Sequence, residues 1–410
     1  LMLGVIIVMF CKKEKVKKDL EQKNPQMGHL ASYLMEYGTC PVYEHTLVTY
    51  FPLGDEQFPA MLKELEKAEK FIFMEYFILE EGYMWNTVLE LLKKKVKEGV
   101  EVRVMYDGMC VLALLPSFYP RILEREGIQC KMFAPIKPFF SPHYNNRDHR
   151  KILVVDGKVA FTGGTNLADE YINKKERFGH WKDTAVMLKG EAVQNFTMMF
   201  LQMWNVSERG KEDYAKYLTP KSLDIRRELG FVLPYADSPF DHENIGEQVY
   251  FHLLNHAKKY VHIMTPYLIL DNEMVTNLTY TAKCGIEVII IMPHIPDKWY
   301  AFAVAQTYYE ELISAGVQIY EYTPGFVHAK VFVSDNDTAT VGTINLDYRS
   351  LYHHFECGTF IYNNPVVWEI ERDFQNTLKA CQKITMLDVK ARRIGMKMVG
   401  SVLRLIAPLM

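Results

Sequence analysis

The feature that most constrains this chain is a pattern that occurs twice. His149-Arg-Lys151 is followed by four residues and Asp156, then by six residues and Gly163-Gly164-Thr-Asn166. His328-Ala-Lys330 is followed at the same spacing by Asp335 and then by Gly342-Thr-Ile-Asn345. A single His-x-Lys-x4-Asp arises by accident in many sequences, but two copies with matched downstream residues do not. The copies sit inside a longer repeat. Ala68-Glu-Lys-Phe-Ile returns 189 residues later as Ala257-Lys-Lys-Tyr-Val, and Gly99-Val-Glu-Val returns after 186 as Gly285-Ile-Glu-Val. Gly127-Ile-Gln returns after 189 as Gly316-Val-Gln, and the His-x-Lys pair itself after 179. A unit of about 185 residues is too long for a solenoid repeat and predicts two duplicated lobes.

Within each lobe the grammar alternates. Residues 71–79 and 260–270 are apolar runs of strand type, and residues 85–97 have helical spacing and stop at Gly99. Residues 100–106 and 286–292 read as buried parallel strands, being apolar, β-branched and bounded. Strands alternating with helices predict an α/β fold. The expected units are 1–40, an N-terminal membrane-anchor remnant with a basic linker; 41–215, the first lobe; 223–388, the second lobe; and 389–410, a basic amphipathic helix. The connection between lobes is expected in the polar stretch 208–222.

The spacing of the repeated motif has a chemical meaning. Residues two apart on a strand face the same way, so His149 and Lys151 present together. Asp156-Gly157 is a tight-turn dipeptide that sends the chain back as a hairpin. The return strand ends at Gly163-Gly164, where missing side chains would let backbone approach a ligand, and Asn166 adds an amide. Imidazole, ammonium, bare backbone and amide on one surface suit a phosphate, and Lys and Asn donors hold oxyanion charge without a metal. Phosphodiester exchange needs a nucleophile and a proton donor, and each lobe supplies one histidine. Pairing the lobes about a pseudo-twofold axis would put His149 and His328 on opposite sides of one phosphorus.

Composition narrows the class further. A net charge of −3 gives no global basic field for nucleic acid, and seven scattered cysteines argue against a disulfide framework or a zinc site. Residues 1–11 are apolar apart from one thiol, and six lysines follow among residues 12–23. That order matches the end of a transmembrane helix with a cytoplasmic flank rather than a signal peptide. Near the C-terminus, Lys390, Arg393, Lys397 and Arg404 share one helical face beside Ile394, Met398, Val402, Leu405 and Leu409. Such a helix either lies in the headgroup plane of a membrane or docks on the protein's own core. Residues 139–144 and 299–302 carry aromatics that suit an acyl-chain groove.

These motifs resemble the phospholipase D superfamily with its paired HKD motifs, here 149–156 and 328–335. The likeness runs from about Tyr43 to the C-terminus. Tyr50-Phe-Pro-Leu-Gly, Phe73-Met-Glu-Tyr-Phe, Gly179-His-Trp-Lys-Asp183-Thr, Thr265-Pro-Tyr, Pro293-His-Ile-Pro-Asp-Lys-Trp, Tyr322-Thr-Pro-Gly-Phe and Asn345-Leu-Asp-Tyr-Arg-Ser are similar to the bacterial cardiolipin synthases. The resemblance implies two lobes of mixed β-sheets flanked by helices, with the active site between them. It implies the joining of two phosphatidylglycerol molecules into cardiolipin, with release of glycerol, through a phosphatidyl-histidine. No cofactor or metal is implied. The implied setting is the cytoplasmic face of the cell membrane, with an anionic bilayer surface as partner and no nucleic acid.

The catalytic set implied is His149, Lys151, Asp156, His328, Lys330 and Asp335, with Asn166 and Asn345 on the substrate phosphate. Asp156 and Asp335 are expected to act by bracing their hairpins. The repeat itself is symmetric; the resemblance assigns His149 as nucleophile and His328 as acid/base. Asp183 and Glu356 match positions that orient the histidine rings. His354 stands where many relatives carry Asn, with no effect expected. Two alternatives belong to other classes: a hydrolase of the same fold acting on phospholipids or, less in keeping with the charge, on nucleic acid, and a non-catalytic membrane scaffold.

Overall fold

A computed structural model describes residues 2–135, 145–206, 212–218, 230–392 and 394–409. The aromatic stretch 139–144 and most of the connection 208–222 lie outside the described residues, as do Arg393 and the side chains of residues 1–12.

Two large sheets carry the same strand order. In the first, Thr46–Phe51, Ala185–Gly190, Val159–Gly163, Lys151–Val155, Phe71–Tyr76, Glu101–Asp107 and Gln129–Phe133 lie side by side. In the second, Phe231–Asp237, Glu356–Tyr362, Thr338–Gly342, Val331–Ser334, Tyr260–Met264, Glu287–Pro293 and Gln318–Tyr322 repeat that order. Cys381–Ile384 is added at the far edge of the second sheet. In both, the first five strands pair antiparallel and the last three pair parallel, so the sheets are mixed. Helices recur at equivalent places: Gly54–Glu66 with Ile245–His256, Tyr83–Lys97 with Asn272–Lys283, and Val193–Asn205 with Val366–Leu378. The duplication in the sequence is therefore a duplication of the whole lobe.

The apolar runs have a direct cause. Every residue of Lys151–Val155 is buried. Ile152 and Val154 join the large core shared with the second lobe, whereas Leu153 and Val155 join the core under the first lobe's own helices. A strand covered on both faces has no position left for alternating polar residues. One expected strand is shorter than its apolar run. Residues 260–270 split into Tyr260–Met264 and Leu268–Ile269 because Pro266, lacking an N–H, cannot continue the ladder. The second piece pairs in parallel with Leu346–Asp347, as Leu79 does with Leu167 in the first lobe.

The stretch read as a basic linker is helical and packed. Met2–Lys23 is one helix, and Pro25–Glu36 is another, capped by Asn24, whose side chain accepts from the Gln26 and Met27 N–H groups at 3.1 and 3.4 Å. Leu20, Leu30 and Leu34 enter the main core, and Lys13 pairs with Glu191. Among the described residues no helix is long and apolar enough to cross a membrane. The C-terminal helix Ile394–Arg404 docks on Trp299–Ser314: a Cβ on Gly400 would meet the Ala303 carbonyl oxygen at 2.6 Å, and Arg404 stacks on Tyr308 at 4.0 Å. Docking still leaves Met398, Val402 and Leu405 exposed at 65%, 64% and 82%.

Candidate active site

The two motif histidines are held by backbone and carboxylate from the opposite lobe. The His149 N–H donates to the Phe355 carbonyl at 2.9 Å, and its Nδ1 lies 2.9 and 3.0 Å from the two oxygens of the next residue, Glu356. The His328 N–H donates to the Lys182 carbonyl at 2.7 Å, and its Nδ1 lies 2.7 Å from Oδ2 of the next residue, Asp183. The same construction is thus made twice, with the lobes exchanged, as a pseudo-twofold axis requires. Where the facing carboxylate is ionised it only accepts, and the Nδ1 against it then carries the hydrogen while Nε2 keeps its lone pair.

The glycines have a different role from the one expected. A Cβ on Gly164 would fall 2.0 Å from Asp183 Oδ1, and one on Gly342 would fall 2.5 Å from the Cys357 carbonyl oxygen. Their bareness admits the segments that carry the orienting acids. Thr343, the residue equivalent to Gly164, instead donates its hydroxyl to Glu356. The strand pair His180–Lys182 with Gly325–Val327 crosses between lobes, and Lys182 forms an ion pair with Asp373 at 2.7 Å, fastening the Asp183 segment to the second lobe.

The remaining motif residues divide. Lys151 Nζ donates to the His149 carbonyl at 2.6 Å, and Lys330 Nζ to that of His328. Asp156 accepts from the backbone N–H groups of Glu69, Lys70 and Phe71 at 2.9, 2.7 and 2.9 Å. Asp335 accepts in the same way from Lys258, Lys259 and Tyr260 at 2.6, 2.9 and 3.1 Å. Both aspartates sit in hairpin turns with positive φ, 53° in each case, at the end of the strand away from the histidine. They do not touch the cluster, so a place for them in the catalytic set is corrected to one in the turn. Asn166 Oδ1 accepts from the Ile78 N–H and its Nδ2 donates to the Tyr171 hydroxyl, both at 2.9 Å. Among the described residues Asn345 Oδ1 finds no hydrogen-bond partner, although it is buried.

Burial sets the electrostatics. It holds the His149 imidazolium well below its usual range, helped by the positive charges of Lys151, His354, Lys330 and His328. It brings His328 down to about 4, with Lys330 in the same direction and Asp183 opposing. It lowers Lys151 to about 8 and Lys330 to about 7, against the pull of Glu356 and Asp183. Glu356 is pushed up by burial, with Lys151 and Thr343 opposing. Charges from each lobe act on the histidine of the other, as one shared cluster demands.

Neighbours that the motif spacing does not announce complete the walls. Phe77 meets the His149 ring edge-on at 4.9 Å. Tyr171, Trp181 and Phe326 surround His328 at 5.3, 5.4 and 5.9 Å between ring centroids. His354 lies 5.3 Å from His149, and these two rings with Glu356 form a group whose donor atoms are within 4.8 Å of one another.

A family model described as the PLD-like domain of cardiolipin synthase matches residues 61–204 and 250–378. The chain belongs to the cardiolipin synthase family of phospholipase D-like proteins. It is 34% identical over 387 residues to a cardiolipin synthase of Geobacillus kaustophilus, covering 94% of this chain and 77% of that protein. It is 36% identical over 358 residues to the cardiolipin synthase of Alkalihalophilus pseudofirmus, covering 87% and 71%. An uncharacterized protein of Streptococcus mutans is 55% identical over 397 residues, 97% of this chain and 86% of that one. Among solved structures, the phosphatidylserine synthase of Haemophilus influenzae superposes with a TM-score of 0.66 at 14% identity, over 88% of this chain and 95% of that one. That likeness gives the same fold. Membership in the family makes the chain a phosphatidyltransferase of phospholipid metabolism.

Proposed function

We propose that this chain transfers a phosphatidyl group from one phosphatidylglycerol to a second, releasing glycerol and forming cardiolipin. The observation that carries the reading is the crossed bracing: two imidazoles, each with Nδ1 on a carboxylate of the other lobe and Nε2 left free. In the first step His149 Nε2 attacks phosphorus, the bond to the glycerol headgroup oxygen breaks, and protonated His328 gives its proton to that oxygen. In the second, His328 takes the proton from a terminal hydroxyl of the incoming phosphatidylglycerol. That oxygen attacks phosphorus, and the P–N bond breaks to restore His149.

Lys151 and Lys330 hold the phosphoryl oxygens, and Asn345 can join them only through its Nδ2, since its unpartnered buried Oδ1 accepts and cannot donate. A neutral His149 is the form a nucleophile needs, and burial favours it. His328 must be protonated to act as acid; a phosphodiester anion beside it supplies the negative charge that stabilises the imidazolium.

We place the reaction at an anionic bilayer surface on the cytoplasmic side. The exposed Met398, Val402 and Leu405 beside basic Lys397 support that placement. The deciding experiment gives purified protein phosphatidylglycerol in detergent micelles and resolves the products. Cardiolipin and glycerol in equal amounts are expected. Phosphatidic acid without cardiolipin would assign the chain to the hydrolases of this fold.

A further inference from the structure

His354 has no part in the reaction just described, yet it is 9% exposed and its buried Nδ1 has no hydrogen-bond partner among the described residues. It caps the short helical turn Arg349–His353, where its own N–H donates to the Arg349 carbonyl at 2.8 Å, so its backbone is held while the ring keeps its side-chain rotation. Its Nδ1 stands 3.7 Å from Glu356 Oε1, too far for a hydrogen bond. Its ring is tilted 39° to that of His149 with centroids 5.3 Å apart. Two imidazoles and a carboxylate, all buried, thus converge with an unpartnered imidazole nitrogen among them.

We propose that His149, His354 and Glu356 form a binding site for a zinc-class divalent cation, and that its occupation inhibits the enzyme by removing the lone pair or the orienting acid of the nucleophile. One donor atom from each residue lies within 4.8 Å of the other two. Tetrahedral zinc at about 2.0–2.1 Å from each donor would hold them roughly 3.4 Å apart, so closure of about 1.5 Å at most is required. Side-chain rotation supplies that. Two imidazole nitrogens with one carboxylate oxygen select zinc-like metals over magnesium or calcium, which want mostly oxygen. Lys151 opposes a second cation nearby, while Glu356 and the more distant Asp347 offset it.

The rest of the chain offers a contrast. His262 also contacts two acids, but its Nδ1 lies 3.0 Å from Glu371 and its Nε2 3.3 Å from Glu287, so both nitrogens are already engaged.

The inhibitory consequence rests on the proposed role of His149; the binding does not, and the two are read separately. Chelator-stripped full-length protein is titrated with zinc alone by calorimetry, without lipid. One zinc per chain is expected, with binding weakened about 100-fold in His354→Asn and unchanged in His262→Gln. His354→Gln, with a matched thermal melt, guards against a folding artefact. Absence of saturable uptake, or uptake equal in both His354 variants and the parent, overturns the site. Phosphatidylglycerol turnover is then followed with added zinc. Loss of product that tracks occupancy and reverses with chelator is expected, and full turnover at saturating zinc overturns the inhibition while leaving the binding result to stand.

Discussion

The crossed pairing of histidine and acid makes a prediction that a lobe-by-lobe pairing reverses. Asp183 follows His149 in the first lobe but orients His328, and Glu356 follows His328 in the second lobe but orients His149. In Asp183→Asn the amide oxygen stays on the Thr184 N–H, which Asp183 Oδ1 accepts at 2.8 Å, and the NH2 turns toward His328 Nδ1. Two donors then face each other in the imidazolium, and the acid is lost. In Glu356→Gln an NH2 directed at His149 Nδ1 forces the proton to Nε2, and the nucleophile is lost. Replacing such a carboxylate by its amide costs about 10^3–10^4-fold in turnover, some 4–5.5 kcal/mol of barrier. Both variants are expected to lose that much on phosphatidylglycerol. A p-nitrophenyl phosphodiester separates them, because its leaving group needs no proton. In the first-turnover burst of nitrophenolate, Asp183→Asn is expected within about ten-fold of the parent, while Glu356→Gln keeps its full loss. The opposite ranking, or equal losses with both substrates, would refute the crossed assignment.

Other consequences are as direct. Asp156→Asn and Asp335→Asn each weaken three backbone hydrogen bonds and should cost about 1–3 kcal/mol in urea unfolding, with turnover per folded molecule within about three-fold. Loss of all activity in a stably folded variant would return these residues to the chemistry. Gly164→Ala drives a methyl into Asp183 and should lower turnover at least about 100-fold without loss of the fold, checked by circular dichroism beside the assay; half the parent activity would contradict the close approach. Lys330, held down to about 7, is charged below that pH and neutral above it. Sulfate, whose own charge is constant, should therefore protect against thermal unfolding below pH 7 and lose that effect as the pH rises to 8; a constant shift would count against Lys330 as an anion ligand. Val402→Glu with Leu405→Glu should release the protein from anionic vesicles in a sedimentation assay, and unchanged binding would move the membrane contact elsewhere.

Much of this was legible in the chain itself. The doubled motif and the matched glycines announced two lobes because duplication leaves the same spacing wherever the same turn must form. The strands at 71–76 and 101–107 were readable because both of their faces are covered, which makes the apolar run continuous. The partnership of each acid was not readable. Sequence distance suggests that Asp183 serves His149, and only the contact between lobes reveals the exchange. The glycines misled for a related reason: a missing side chain signals close approach without saying whether the approaching group is a ligand or a neighbouring strand. His354 stood out in the sequence only as a departure with no effect expected, since a lone histidine acquires meaning only from the imidazole and carboxylate beside it.

The central claim is that both imidazoles act on one phosphorus, and trapping the intermediate tests it most directly. Protein mixed with radiolabelled phosphatidylglycerol and quenched in base should carry one acid-labile phosphoryl adduct per chain, mapped to the peptide containing His149. The adduct should be absent in His149→Ala and, with the p-nitrophenyl substrate, should accumulate in His328→Ala. An adduct on another residue, or turnover that survives the loss of either histidine, would contradict it.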